Sequence, residues 1–177
     1  PPPHVAPQEV VPGPATTPAI PSIDLRVEVK ANSRRPARSR MSSSKQGTLR
    51  WTGEGDVFVG QSGSAPEMVV DSHGVAGPSP MDALLLGVMA CMAIDIRMIL
   101  EKGRVPLHSL ELTAEADRAE DPPRYFTRLL MDFRLTGPGE ENRSKVQRAI
   151  DLSRDKYCSA LASLRPDLDL EIRIGAL

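Results

Sequence analysis

Aromatic side chains are scarce in this sequence, and neither sign of charge dominates it. Phe, Tyr and Trp together make up 3% of the 177 residues, and the formal net charge is −1. Nucleic-acid binding relies on basic surfaces for the phosphates and on aromatic side chains for stacking with bases. The composition therefore argues against a nucleic-acid partner.

An apolar run long enough for a membrane helix is also missing. The longest run, from Ala83 to Ile94, has twelve residues, and the charged Asp95 and Arg97 follow it closely. A membrane-spanning helix needs about 20 apolar residues. The sequence does not open with the charged, apolar and small-residue regions of a signal peptide. We therefore expect no membrane partner.

Cysteine is rare, and its spacing excludes two common uses. Cys91 and Cys158 are the only cysteines and lie 67 residues apart, without a CxxC pattern. This is not the framework of a secreted disulfide-rich domain, so we expect a reducing, cytoplasmic setting. His73 and His108 have no ligand-type spacing to either cysteine, and we expect no metal site. No phosphate-binding loop of the G-x4-GK(S/T) type is present. We expect no bound cofactor.

Residues 1–40 differ in composition from the rest of the chain. They hold nine of the 17 prolines, and their net charge of +3 compares with −4 for residues 41–177. Because dense proline opposes helix formation, we expect a largely disordered arm. Residues 23–30 alternate between apolar and polar side chains, which fits an added edge strand or a chance pattern. Met41 then begins the segment that we expect to be the folded domain, and we take it as a candidate natural start.

The remainder of the chain has the periodicities of strands and helices in the order βββ-α-ββ-α-β. Strands grouped in this way, with few strand–helix alternations, indicate an α+β fold. Six alternating segments are the predicted strands: 48–52, 57–60, 67–71, 110–117, 125–135 and 168–174. The second helix is predicted from an apolar stripe that runs at helical spacing from Val146 to Leu164.

The first helix has clear start and stop signals. Ser79 can cap it, Pro80 suits its first position, and Asp82 can reach back to the cap, while Gly103 ends it after Lys102. The segment LLLGVMACMAIDIRMIL within it is apolar on nearly every side. Such a helix must be covered by other structure, which a domain of this size supplies poorly on its own. We therefore predict a homodimer with this helix near its centre.

Cys91, in the middle of this helix, allows two interpretations. A free buried cysteine is most often an inert small apolar residue, but it can also be a reactive thiol in an apolar pocket. Cys158 lies at the edge of the apolar stripe of the second helix, where a side chain is packed yet accessible unless the helix breaks at this point. The residues alone leave both interpretations open.

Three segments resemble the OsmC/Ohr family. They are SPMDALLLGVMACMAIDI, YFTRLLMDFRLTG and RAIDLSRDKYCSALAS, and the resemblance extends over residues 48–177. It is nearest to the OsmC branch that reads SPM(D/E) and KYCS. The resemblance implies an intertwined homodimer and a thiol peroxidase that reduces organic hydroperoxides in defence against oxidative stress.

The same resemblance implies roles for the cysteines. Cys91 matches the peroxidatic cysteine and Cys158 the resolving cysteine of a sulfenic acid and disulfide cycle. The implied partners are an organic hydroperoxide substrate and an external dithiol or lipoyl-type reductant. An alternative of another class is a non-catalytic dimer of the same fold that binds a small apolar ligand and keeps its cysteines as vestiges.

A peroxidatic cysteine must become a thiolate, and its surroundings here oppose this. Asp95 lies four residues after Cys91 and shares its side of the helix, so its charge disfavours a second negative charge nearby. A basic residue should therefore pair with this site, from the same subunit or from a partner. The candidates are Arg128, Arg154 and Lys156.

Overall fold

A computed structural model describes residues 44–177, and these form two three-stranded sheets and three helices. The predicted arm, including the 23–30 segment and Met41, lies outside the described residues. The strands are β1 (Gly47–Trp51), β2 (Val57–Ser62), β3 (Met68–Asp71), β4 (Ser109–Arg118), β5 (Phe126–Thr136) and β6 (Asp169–Ile174). The helices are α1 (Pro80–Lys102), α2 (Arg143–Leu152) and α3 (Ser159–Ala162). The predicted α+β class is confirmed, and the elements follow the predicted order, with the second predicted helix divided into α2 and α3.

The first sheet is an antiparallel meander in the order β1-β2-β3. Its tight turns contain glycines with positive φ, among them Gly53 and Gly63. Residues with a side chain adopt this backbone conformation only with strain. A loop follows β3 and leads into α1. At the end of β3, the buried carboxylate of Asp71 accepts hydrogen bonds from three backbone N–H groups of this loop: His73, Val75 and Ala76. Asp71 therefore fixes the path of the chain as it approaches α1.

Helix α1 has the predicted boundaries and the predicted cap. The Ser79 hydroxyl accepts a hydrogen bond from the Asp82 N–H, while the Asp82 carboxylate accepts one from the Ser79 N–H. Pro80 occupies the first turn, and Gly103 ends the helix. Although its uncharged run is short, the whole 23-residue helix, with Asp95 and Arg97 included, is long and apolar enough to cross a bilayer by length and composition alone. Here one side packs into the protein core through four fully buried residues: Val88, Met92, Ile96 and Leu100.

The second sheet has β5 in its centre, antiparallel to β4 and parallel to β6. Two parallel strands need a crossover connection, and the segment with α2 and α3 provides it. Alternate side chains of β5 face the helices and form the centre of the core: Leu129, Met131, Phe133 and Leu135. This sheet thus supports α1 and α2, which carry the residues described below.

The region predicted as one helix from Val146 to Leu164 is divided into parts. After α2, residues Ser153–Tyr157 form a π-helical turn, in which the Cys158 N–H donates to the Ser153 carbonyl five residues earlier. Cys158 itself is extended, with φ −69° and ψ 93°, and α3 begins after it. The predicted apolar stripe is therefore not one continuous helix, because the π turn widens it and the chain breaks at Cys158, the break that the sequence had left open.

Several large apolar side chains are exposed in the single chain. On α1 they follow one side of the helix, where Ile94 and Met98 are each 58% exposed and Leu86 is 53% exposed. On the first sheet, Leu49 is 66% exposed and Trp51 is 53% exposed. Part of α1 and part of the first sheet are therefore uncovered by the described residues of one chain.

Candidate functional site

Cys91 lies at the midpoint of α1, on the side of the helix that faces the second helical region. Its side chain is half-buried and packs against the hydrophobic core. The thiol is free. Cys91 is therefore partly accessible to a small molecule and is held on a long, well-capped helix.

Cys158 occupies the position just before α3. Its Sγ accepts a hydrogen bond from the Leu161 N–H at 3.3 Å, so the thiol takes the place of a helix-capping oxygen. Only 2% of the residue is exposed. The predicted location at an accessible edge was wrong, since the π turn and the break at Cys158 turn its side chain into the core.

The two cysteines, far apart in sequence, meet in the structure. The Sγ atoms of Cys91 and Cys158 and a carboxylate oxygen of Asp95 all lie within 4.8 Å of one another. A disulfide needs the two sulfurs at about 2.05 Å, so a modest side-chain movement would join them. Cys91, Asp95 and Cys158 together form the thiol cluster.

Asp95 belongs to the cluster because it lies one helical turn after Cys91. The hydroxyl of Ser153, which is fully buried, donates a hydrogen bond of 3.0 Å to Asp95 Oδ2. A hydrogen bond to a charged acceptor is worth about 1.5–3 kcal/mol. Ser153 lies within the predicted apolar stripe and was not predicted as a site residue, although a hydroxyl within such a stripe is itself a signal that a buried polar partner is near.

The environment of Cys158 disfavours its thiolate. Burial is the main cause and raises the pKa of Cys158 to about 11, against 9.0 for an ordinary cysteine. The nearby Cys91 and Asp95 raise this pKa further, while the Leu161 N–H opposes the shift. At neutral pH Cys158 is therefore a neutral thiol.

The three basic candidates have other partners within the described chain. Lys156 lies 5.3 Å from the centre of the Tyr157 ring. Arg154 forms ion pairs with two neighbours in sequence: Asp151 and Asp155. Arg128 forms ion pairs with three acidic residues of the second sheet: Asp117, Asp169 and Glu171. Among residues 44–177 of one chain, no basic side chain lies within 4.0 Å of the Asp95 carboxylate.

The shifted pKa of Cys158 leads to a measurable pH dependence. In a Cys91→Ser variant, we expect thiolate ultraviolet absorbance to appear at higher pH in the folded protein than in denaturant. Because the folded state holds its proton longer, this thiol lowers stability as the pH rises from about 9 towards about 11. A variant with both cysteines replaced by serine corrects for tyrosine ionisation. Equal midpoints in folded and unfolded protein would contradict the burial of Cys158.

A protein-family model, a relative in sequence and several solved structures match this chain. A family model described as "OsmC-like protein" matches residues 71–173. Protein YhfA of Escherichia coli strain K12 is 36% identical over 126 residues, which are 71% of this chain and 92% of that protein.

Two solved structures extend the comparison. The crystal structure of a hypothetical protein from Aquifex aeolicus VF5 is 25% identical with a TM-score of 0.68, over 76% of this chain and 96% of the other. The organic hydroperoxide resistance protein OhrB of Bacillus subtilis is 13% identical with a TM-score of 0.54, over 75% of this chain and 98% of that one. At that identity, the second likeness concerns the fold alone.

Proposed function

This chain belongs to the OsmC-like protein family, and from that premise we propose that it is a thiol-dependent peroxidase that reduces organic hydroperoxides to alcohols. One observation carries the proposal: two free thiols, on separate helical segments, lie within 4.8 Å of each other. The fold shared with a protein named for organic hydroperoxide resistance adds support. A role in oxidative-stress defence follows from this activity.

The different environments of the two cysteines suit different steps. The half-buried Cys91 is the one that a substrate can reach, so its thiolate attacks the terminal oxygen of the hydroperoxide. The O–O bond breaks, the alcohol leaves with a proton, and Cys91 becomes a sulfenic acid. The buried Cys158 sulfur then attacks the Cys91 sulfur, so that water leaves and a disulfide forms. An external dithiol, of which a lipoyl group is one example, supplies two electrons and restores both thiols.

An apolar groove near the amino-terminal end of α1 supports an organic substrate. It has a volume of about 390 Å³ and contains Met81, Leu84, Tyr125, Phe126 and Leu164, with three arginines: Arg118, Arg124 and Arg165. Leu84 lies seven residues before Cys91, so both are on nearly the same side of the helix, about 10 Å apart along its axis. A hydroperoxide bound to Cys91 can extend its organic part towards this groove.

The proposal includes a homodimer in the cytoplasm. The exposed apolar side chains of α1 and of the first sheet form a surface that a second copy would cover. Free thiols persist in reducing compartments, which fits a cytoplasmic location. A partner subunit could also bring a basic residue to Asp95.

The peroxidase proposal is tested by the rate at which the two cysteines become linked. We expect cumene hydroperoxide to form a Cys91–Cys158 disulfide about a hundredfold faster than hydrogen peroxide does. The reason is that each buried methylene of the organic part contributes about 0.8 kcal/mol, so three or four packed carbons give this factor. Stopped-flow kinetics with one equivalent of oxidant, followed by peptide mass spectrometry, measures both the rate and the linkage.

The Leu84→Ser variant tests the role of the groove, because it replaces one apolar side chain of the groove by a polar one about two helical turns from Cys91. It should slow the reaction with cumene hydroperoxide and leave that with hydrogen peroxide nearly unchanged. Equal rates for both oxidants would remove the argument from the groove. Two separately oxidised cysteines without a disulfide would remove the two-cysteine cycle, and no reaction with any hydroperoxide would favour the ligand-binding alternative.

A further inference from the structure

The carboxylate of Asp95 has an unusual position for an acidic side chain. It is half-buried, it lies beside two thiols, and within residues 44–177 its hydrogen-bond partner is the neutral hydroxyl of Ser153. Buried carboxylates are generally paired with a cation or bound to a metal ion. Since no basic side chain of residues 44–177 lies within 4.0 Å of this carboxylate, the thiol cluster brings one carboxylate and two free thiols together without a neighbouring cation.

Against the expectation of no metal site from residue spacing, we propose that the reduced protein binds one zinc ion at the thiol cluster, through Cys91 Sγ, Cys158 Sγ and one carboxylate oxygen of Asp95. The three ligand atoms lie within 4.8 Å of one another. Tetrahedral zinc, with bonds of about 2.3 Å to sulfur and about 2.0–2.2 Å to oxygen, holds its ligand atoms roughly 3.5–3.8 Å apart. Side-chain rotations therefore complete the set, and a water molecule takes the fourth position.

The surrounding hydrogen bonds are those of a prepared metal site. Ser153 donates to Asp95 Oδ2 and orients the carboxylate, and the Leu161 N–H donates to Cys158 Sγ, where it stabilises a metal-bound thiolate. Such outer contacts fix the ligands of protein metal sites and commonly change affinity by about 10–100-fold. Ser153 is thus a positioning residue, and the half-buried Cys91 and Asp95 leave a route for the ion.

The ligand types select zinc over the common hard cations. Two thiolates and one carboxylate match zinc, whereas magnesium and calcium need sets of oxygen ligands. Cys91 and Asp95, one turn apart on a single helix, form a rigid pair, and Cys158 closes the site from the second helical region. His73 and His108, the histidines considered from the sequence, take no part: His73 is exposed near Asp56, and His108 lies beside Gly137.

Zinc binding and disulfide formation exclude each other. On binding, each thiol gives its proton to the buffer and its sulfur to the metal. When diamide oxidises the pair, the two sulfurs lose two electrons and join, the diamide takes up two protons, and the ion loses two of its ligands. The inference uses the residues of the proposed function but does not depend on peroxide turnover.

The test is metal binding by the untagged full chain, reduced and kept free of oxygen. We expect equilibrium dialysis to show one Zn²⁺ per chain, and Co²⁺ in its place to give a thiolate-to-cobalt charge-transfer band in the near ultraviolet. Diamide should abolish both signals and a dithiol should restore them. The Asp95→Asn variant should bind at least about tenfold more weakly, Ser153→Ala about tenfold more weakly, and the variant with both cysteines replaced by serine should not bind.

Glu101→Gln, an exposed acidic position on the same helix, is the matched control and should bind as the unchanged protein does. Circular dichroism verifies that each variant is folded. Absence of zinc from the reduced protein overturns the inference, and equal affinity in Asp95→Asn overturns the assignment of Asp95. If the protein binds zinc but does not reduce hydroperoxides, the zinc site stands and the proposed peroxidase function is wrong. If it reduces hydroperoxides but does not bind zinc, the peroxidase function stands and the zinc site is wrong.

Discussion

Replacing Cys91 by serine should reduce hydroperoxide turnover by roughly 10³-fold or more, to the rate without protein. A serine hydroxyl in the same position is un-ionised near neutral pH and cannot replace a thiolate as the nucleophile. The measurement is the steady-state consumption of cumene hydroperoxide with an excess of a dithiol. Ala90→Ser, at the exposed neighbouring position of α1, is the matched control and should keep full activity.

Replacing Cys158 by serine should have a different kinetic signature. Without added dithiol, Cys91 would still react once, but its sulfenic acid would have no second thiol of the protein within reach, and a second hydroperoxide would oxidise it to the irreversible sulfinic acid. We therefore expect one equivalent of alcohol in a rapid phase, followed by inactivation. Mass spectrometry should find two added oxygen atoms on Cys91. For the first of the two variants, Cys91→Ser, sustained turnover would contradict the prediction and show that another group is the nucleophile.

The second large effect concerns assembly. We expect the protein to be a dimer at micromolar concentration and the Ile94→Glu variant to dissociate at least about a hundredfold more readily. Ile94 is 58% exposed in the single chain and lies between the exposed Leu86 and Met98 on one side of α1. An unpaired charge buried in an interface costs about 3–5 kcal/mol, and each 1.4 kcal/mol is a factor of ten in the dissociation constant.

Analytical ultracentrifugation over a range of concentrations measures this dissociation constant. Val75→Glu, which places the same charge at an exposed apolar position in the loop before α1, is the control and should leave the dimer intact. If the unchanged protein were a monomer at micromolar concentration, the proposed dimer would be wrong. If Val75→Glu dissociated the dimer and Ile94→Glu did not, the interface would lie on the loop rather than along α1.

Local signals explain why α1 was predicted with its correct ends. Ser79, Pro80 and Asp82 act on the backbone of one turn, and Gly103 ends the last turn, so no distant contact is needed. Strand alternation also depends on local burial, and the six strands appeared close to their predicted places. The parallel pairing of β6 with β5 was not predicted, because alternation with period two contains no information about strand direction.

The candidate site was predicted only in part, for a related reason. The family resemblance identified Cys91 and Cys158, and helical spacing placed Asp95 beside Cys91. The contact between Ser153 and Asp95 joins residues 58 positions apart and has no local signature. The burial of Cys158 depends on the π turn, which shifts the phase of every later residue, so a wheel drawn at 3.6 residues per turn misplaced it.

The π turn gives the site an unusual sensitivity to chain length. A π turn contains one residue more than the α-helical turn that it replaces, so losing one residue between Ser153 and Tyr157 would restore regular α-helix. Everything downstream would then rotate by about 100° and shift by about 1.5 Å relative to α2. Cys158 would leave Cys91 although no side chain of the cluster had changed. Within this five-residue segment, the number of residues therefore determines whether the two thiols meet, more than the side chains of the exposed residues 154–157 do.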